Sequence, residues 1–88
     1  MRVWEKNPNM LVPYYLMFSY LYYEKDVSLI EDTEFDKLCQ TLLEKYDSVE
    51  HMHKHLVSKE SLTAGTGYDI VYTNMIKDSA MKLMESWK

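Results

Sequence analysis

Six carboxylates crowd the segment from Glu24 to Asp36 (Glu24, Asp26, Glu31, Asp32, Glu34, Asp36), against one lysine, Lys25. Just upstream, five tyrosines fall between Tyr14 and Tyr23, in a chain with eight Tyr, two Trp and two Phe. Asp32 and Asp36 stand one helical turn apart, so on a helix they project together beside the rings of the preceding segment. Carboxylates next to flat apolar walls suit a ligand with a ring and hydroxyl or amide donors, such as a sugar or a carboxamide. A bare phosphate is repelled there unless Arg2, Lys6 or Lys25 swings in. The same residues also have a structural role open to them: Asp32 as a helix N-cap, the other carboxylates as the solvated face of a loop.

Other reactive groups are less organised. His51 and His55 lie four apart and would share one face of a helix, with His53 pointing elsewhere, but no third ligand stands at a recognised spacing. No metal site is expected, although histidine titrates near neutrality and could make the surface pH-sensitive. Cys39 has no paired motif and reads as a small buried hydrophobe; a single cysteine also excludes an internal disulfide and suits a reducing, cytosolic setting. Gly65-Thr66-Gly67 lacks the lysine and the preceding strand of a phosphate loop. No Ser-His-Asp order with a known local context is present, so no catalytic residue is expected.

The elements that must position these groups read as helices. Asn7-Pro8-Asn9 is a turn, and Pro13 is acceptable in a first turn where its missing N–H has no intrahelical partner. Met10, Tyr14, Met17, Phe18 and Leu21 recur at helical spacing, which predicts an amphipathic helix from Met10 to Glu24, with Tyr14, Phe18 and Leu21 on its core face. Lys25 to Glu31 reads as a loop anchored by Val27, Leu29 and Ile30. A second helix follows from an Asp32 cap, with Glu34 suiting the dipole and Phe35, Leu38, Leu42, Leu43 and Tyr46 as its apolar stripe. Asp47 and Glu50 resemble a capping box for a third, shorter helix to about Leu56. Ser58 is placed to cap a further turn ended by Gly65 and Gly67. Tyr72, Met75, Ile76, Ala80, Leu83, Met84 and Trp87 predict a last helix from about Tyr68 or Asp69 onward. Val71-Tyr72-Thr73 has strand-like residues, but the period around it is 3.6 and not 2.

Eighty-eight residues make one domain, residues 1–88, expected to be all-α: a small bundle of about four helices. A composition 47% hydrophobic and 27% charged, with two Gly and two Pro, excludes a disordered or linker-rich chain. The formal charge of −4 argues against direct nucleic-acid binding. Met10 to Tyr23 is too short and too interrupted to span a bilayer, and no basic leader precedes it, so no membrane partner is expected and a cytoplasmic location is. Seven methionines suit an adaptable core or a partner surface that repacks.

The run Ser19 to Leu38 resembles the N-terminal Ia domain of NAD-dependent DNA ligases. The likeness lies in the aromatic pair Tyr22-Tyr23, a short loop with Asp26 and Ile30, then Asp32, Glu34, Phe35, Asp36 and Leu38 in order. It covers the helix-loop-helix of residues 10–46; residues 47–88 are additional helices that do not align. In that family the module holds the nicotinamide mononucleotide half of NAD. The resemblance therefore implies a site in which Tyr22 and Phe35 face the nicotinamide ring and Asp32 and Asp36 contact ribose hydroxyls or the carboxamide. Tyr23 stands where the family usually has a histidine for the phosphate, and Phe35 replaces a tyrosine. The chain has no adenylation domain and no Lys-x-Asp-Gly nucleophile, so it is not expected to be an enzyme by itself. The run Asn7 to Tyr15 also resembles small bacteriophage proteins, those infecting cyanobacteria among them, which would place it in the host cytoplasm.

Two functions follow. One is a non-catalytic viral accessory protein on a ligase-like scaffold, docking on another protein or on itself. The alternative is a module that binds nicotinamide mononucleotide or NAD, acting alone or in trans with a nucleotidyltransferase; no other cofactor is expected. They differ in one observable: Tyr22 and Phe35 either open around a concave pocket or close a helix–helix seam.

Overall fold

Asn7 opens the first long helix. Its side chain accepts from the Asn9 N–H at 3.2 Å, and Pro8 then begins a single 3-10 turn, Pro8–Met10. In the computed structural model, which describes residues 3–51, 54–64 and 70–87, that turn runs directly into a helix at Leu11–Glu24. A short helix, α1 (Val3–Lys6), precedes it; Leu11–Glu24 is α2, followed by α3 (Asp32–Lys45), α4 (Lys59–Ala64) and α5 (Asn74–Ser86). Among the described residues there is no strand, and the domain is an all-α bundle. Its radius of gyration of 11.7 Å matches the roughly 12 Å expected of a folded chain of this length.

Helix α2 is not amphipathic as its spacing predicts. It buries Leu11, Val12 and every residue from Tyr15 to Leu21, so apolar contact surrounds it. Helices α3 and α5 pack against it from different sides, and Trp4 of α1 lies against Tyr14 and Phe18 with ring centroids 5.0 and 5.6 Å apart. A helix apolar all round belongs at the centre of a fold. One polar group is caught there: Ser19 is fully buried and its Oγ has no hydrogen-bond partner.

The exit from α2 is made by Asp26, whose φ of 56° lies in the left-handed region. This bend lets the N–H groups of Lys25 and Val27 both donate to the Leu21 carbonyl, at 3.1 and 2.9 Å. The Ser28 hydroxyl then donates to the Ile30 carbonyl at 2.7 Å, and Ile30 turns inward. Helix α3 starts one residue earlier in its capping than expected. Glu31, at φ −71° and ψ 155°, holds the N-cap position without a side-chain bond, and Asp32 is the first helical residue. Asp32 therefore acts on the helix dipole and not as a cap.

Among the described residues of 47–56 the predicted α-helix is absent. Ser48 and Val49 both donate to the Lys45 carbonyl at 2.9 Å, and the Glu50 N–H donates to Asn9 Oδ1 at 2.8 Å, a partner 41 residues away. The donor that would have closed a helical turn is thereby tied to the start of α2. Only a 3-10 turn, Lys54–Leu56, follows. Tyr46 OH donates to the Val57 carbonyl at 2.8 Å and pins this segment to α3. Ser58 caps α4 as expected, its Oγ accepting from the Ser61 N–H at 3.1 Å; Gly65 and Gly67 lie outside the described residues. The last helix begins at Asn74, not near Tyr68, because the Thr73 hydroxyl caps it by accepting from the Ile76 N–H at 3.3 Å. Ile70 to Thr73 are neither helix nor strand, and Tyr68 and Asp69 lie outside the described residues. Ile76 and Ala80 reach the core, whereas Met75, expected on the same face, is exposed.

Candidate functional site

The end of α2 and the start of α3 diverge around the loop of residues 25–31, and a pocket of about 270 Å³ opens between them. Its floor is Phe18, held by Trp4, Tyr14 and by Trp87, which meets it edge-on at 5.5 Å. One wall is Phe35, half-buried and stacked on the fully buried Tyr15 at 5.9 Å and 22°. Facing it are Tyr22 and Tyr23, which are 49% and 36% exposed and touch each other edge to face at 4.8 Å. Asp32 and Asp36 are exposed at the rim, and Ser28, Leu29 and Ile30 close the remaining side.

All five residues expected from the sequence to bind a ligand, Tyr22, Tyr23, Asp32, Phe35 and Asp36, line this one pocket. Tyr22 stands exposed at the opening, whereas Phe35 both lines the pocket and packs between α2 and α3 through its stack on Tyr15. In the sequence the loop side presents only a set of core anchors, and Phe18 only a core residue. The Ser28 hydroxyl bond that turns Leu29 and Ile30 into a wall has no sequence signature beyond a serine in a loop.

A second, wider groove of about 690 Å³ adjoins the first across the same loop. Asp32 belongs to both, and Glu31, Glu34 and Trp87 complete the groove. Trp87 comes from beyond the end of α5, so its arrival here depends on how α5 packs on α2 and not on any local pattern.

The remaining candidates do not assemble. His51 lies outside any helix and His55 sits in the 3-10 turn, so the two do not share a helical face; His53 lies outside the described residues. Among the described residues no group of three or more His, Cys, Asp or Glu is placed to hold a metal. Cys39 is buried one turn beyond Asp36, and burial, helped by the Asp36 carboxylate, pushes its thiol from 9.0 up to about 12. A thiol held protonated in this way is no nucleophile at neutral pH. No described helix is long and apolar enough to cross a membrane.

Compared with protein-family models, curated proteins and solved structures, the chain matches none. What the pocket can do is therefore argued from its own groups. Two fixed rings, two exposed rings and two rim carboxylates can hold a flat ring by its faces and a neighbouring group by its hydroxyl or amide donors.

Proposed function

We propose that this chain is a binding module for a nicotinamide ribose compound, in the manner its resemblance to the ligase Ia domain implies. The observation that carries the reading is the open pocket framed by Tyr22 and Phe35 with Asp32 and Asp36 at its rim. Size supports a half-ligand. Sites for drug-sized molecules run from about 300 to 1,000 Å³, so a pocket of about 270 Å³ suits one ring with its sugar and not a whole dinucleotide. The walls suit it too: each aromatic pair contributes about 0.5–1.5 kcal/mol, and a hydrogen bond to a carboxylate about 1.5–3. Set against the cost of association, a few such contacts give millimolar to high-micromolar affinity. Backbone amide shifts on titration with nicotinamide mononucleotide and NAD test this. Saturable shifts centred on Tyr22, Asp32, Phe35 and Asp36 are expected; none at millimolar ligand would end the reading.

A second reading, docking on a protein partner or on another copy, is favoured by a separate feature. Val71 is 76% exposed and Met75 55%, beside the start of α5. Exposed apolar side chains such as these suit a contact surface. Concentration-dependent sedimentation of the wild type, absent in Val71→Ser, would support self-association.

A further inference from the structure

We infer that the pocket selects its ligand by charge, taking nicotinamide riboside, a phosphate-free pyridinium cation, in preference to the 5′-phosphate. This rests on the binding-module reading and adds to it the net charge of the ligand.

Among the described residues that line the pocket there is no lysine, arginine or histidine. Its charged groups are the carboxylates Asp32 and Asp36. The groove next to it continues the same sign, with Glu31 and Glu34 beside Asp32. A group that leaves the pocket on that side enters a negative field, with no cation among the described residues of either lining to offset it. The rings act in the same direction: the faces of Tyr22 and Phe35 attract a cation through their quadrupole, and a pyridinium is both flat and positive.

The size of the effect follows from Coulomb's law. Two unit charges roughly 5 Å apart in water-like surroundings change an affinity about fourfold. A phosphate monoester carries roughly −1.5 to −2 at neutral pH, so the phosphate weakens binding about tenfold at low salt. Screening narrows the gap as ionic strength rises.

The test is an NMR titration of the full chain with nicotinamide riboside, nicotinamide mononucleotide and an uncharged ribosyl benzamide, at low and at physiological salt. Expected are a riboside Kd about tenfold below that of the mononucleotide, a gap that shrinks with salt, and a benzamide several-fold weaker than the riboside. The double variant Asp32→Asn/Asp36→Asn, checked as folded by its own spectrum, should narrow the gap between riboside and mononucleotide, with Glu31 and Glu34 sustaining what remains of it. Mononucleotide binding as tight as the riboside, or benzamide binding as tight, overturns selection by charge and leaves the binding module standing. No saturable shift with any of the three overturns the binding module, and selection by charge falls with it.

Discussion

Asp32 separates scaffold from site, because the two roles open to it carry different free energies. An N-cap aspartate is worth about 1 kcal/mol, within a range of roughly 0.5–2. Asp32 is not the cap: Glu31 occupies that position, without a side-chain bond, and Asp32 is the first helical residue with its side chain in water. What remains to it is the helix dipole, about 0.3–1 kcal/mol for an exposed charge in the first turn. Against that stands repulsion from Glu31 and Glu34 on either side, so Asp32→Asn should cost about 0.5 kcal/mol or less. For a domain of this size 1 kcal/mol moves Tm by about 4–8 °C, which puts the variant within about 4 °C of wild type. The site role is larger. Loss of a charged acceptor for a ligand donor costs about 1.5–3 kcal/mol, or roughly tenfold to a hundredfold in affinity. Thermal melts by circular dichroism and NMR titration with nicotinamide riboside measure the two effects separately. Thr73→Ala is the control: Thr73 does cap a helix through its side chain, at 3.3 Å from the Ile76 N–H, and does not line the pocket. It should lower stability by about 1 kcal/mol and leave affinity alone. An Asp32→Asn variant that melts as low as Thr73→Ala yet binds as wild type would refute the reasoning.

Three further outcomes follow from groups away from the rim. Ser19→Ala removes a fully buried hydroxyl without a partner and should raise stability by about 1 kcal/mol in chemical denaturation; a loss would show that the hydroxyl is satisfied in solution. The Cys39 thiol, raised from 9.0 to about 12 when folded, stays protonated in the native state while the unfolded chain ionises. Its contribution is thus complete below about pH 9 and declines toward pH 12, so the stability gap between wild type and Cys39→Ala should narrow across that window; a constant gap would refute it. Tyr46→Phe removes the bond from Tyr46 OH to the Val57 carbonyl and should cost about 1 kcal/mol, with earlier hydrogen exchange around Val57; unchanged exchange there would show that the bond does not hold the segment.

The grouping of the five candidate residues around one pocket was legible because it is local. Tyr22, Tyr23, Asp32, Phe35 and Asp36 sit in one helix-loop-helix, and two helical periods with a short loop between them already bring the first turn of α3 beside the last turn of α2. What local pattern could not reach is set by distant partners. The Asp47–Glu50 capping box fails because Asn9 takes the Glu50 N–H from across the domain. All-round burial of α2 depends on α5 and on Trp4, which no window around Leu16 contains. The cap of α3 falls one residue earlier, on an extended Glu31 that follows the loop bond from Ser28 to Ile30, and neither feature has a pattern in the residues around Asp32.

The rings of the pocket divide by what holds them, and that division bears on affinity. Phe18 is clasped by Trp4, Tyr14 and Trp87, and Phe35 lies flat on the buried Tyr15. Neither has rotamer freedom left for a ligand to remove. Tyr22 is 49% exposed, so it would be ordered on binding, at about 0.5–1.5 kcal/mol for a side chain immobilised. Phe18 and Phe35 are thus set by folding, whereas Tyr22 would be set by a ligand. On the proposed binding reading this arrangement would give a weak, fast-exchanging complex, and it also sets how mutations sort. Phe35→Ala strikes the core stack and the wall together, whereas Tyr22→Ala touches the wall with little loss of stability. The cluster of rings that marks the sequence thus serves both purposes, with Phe18 and Phe35 belonging to the core and the pocket at once.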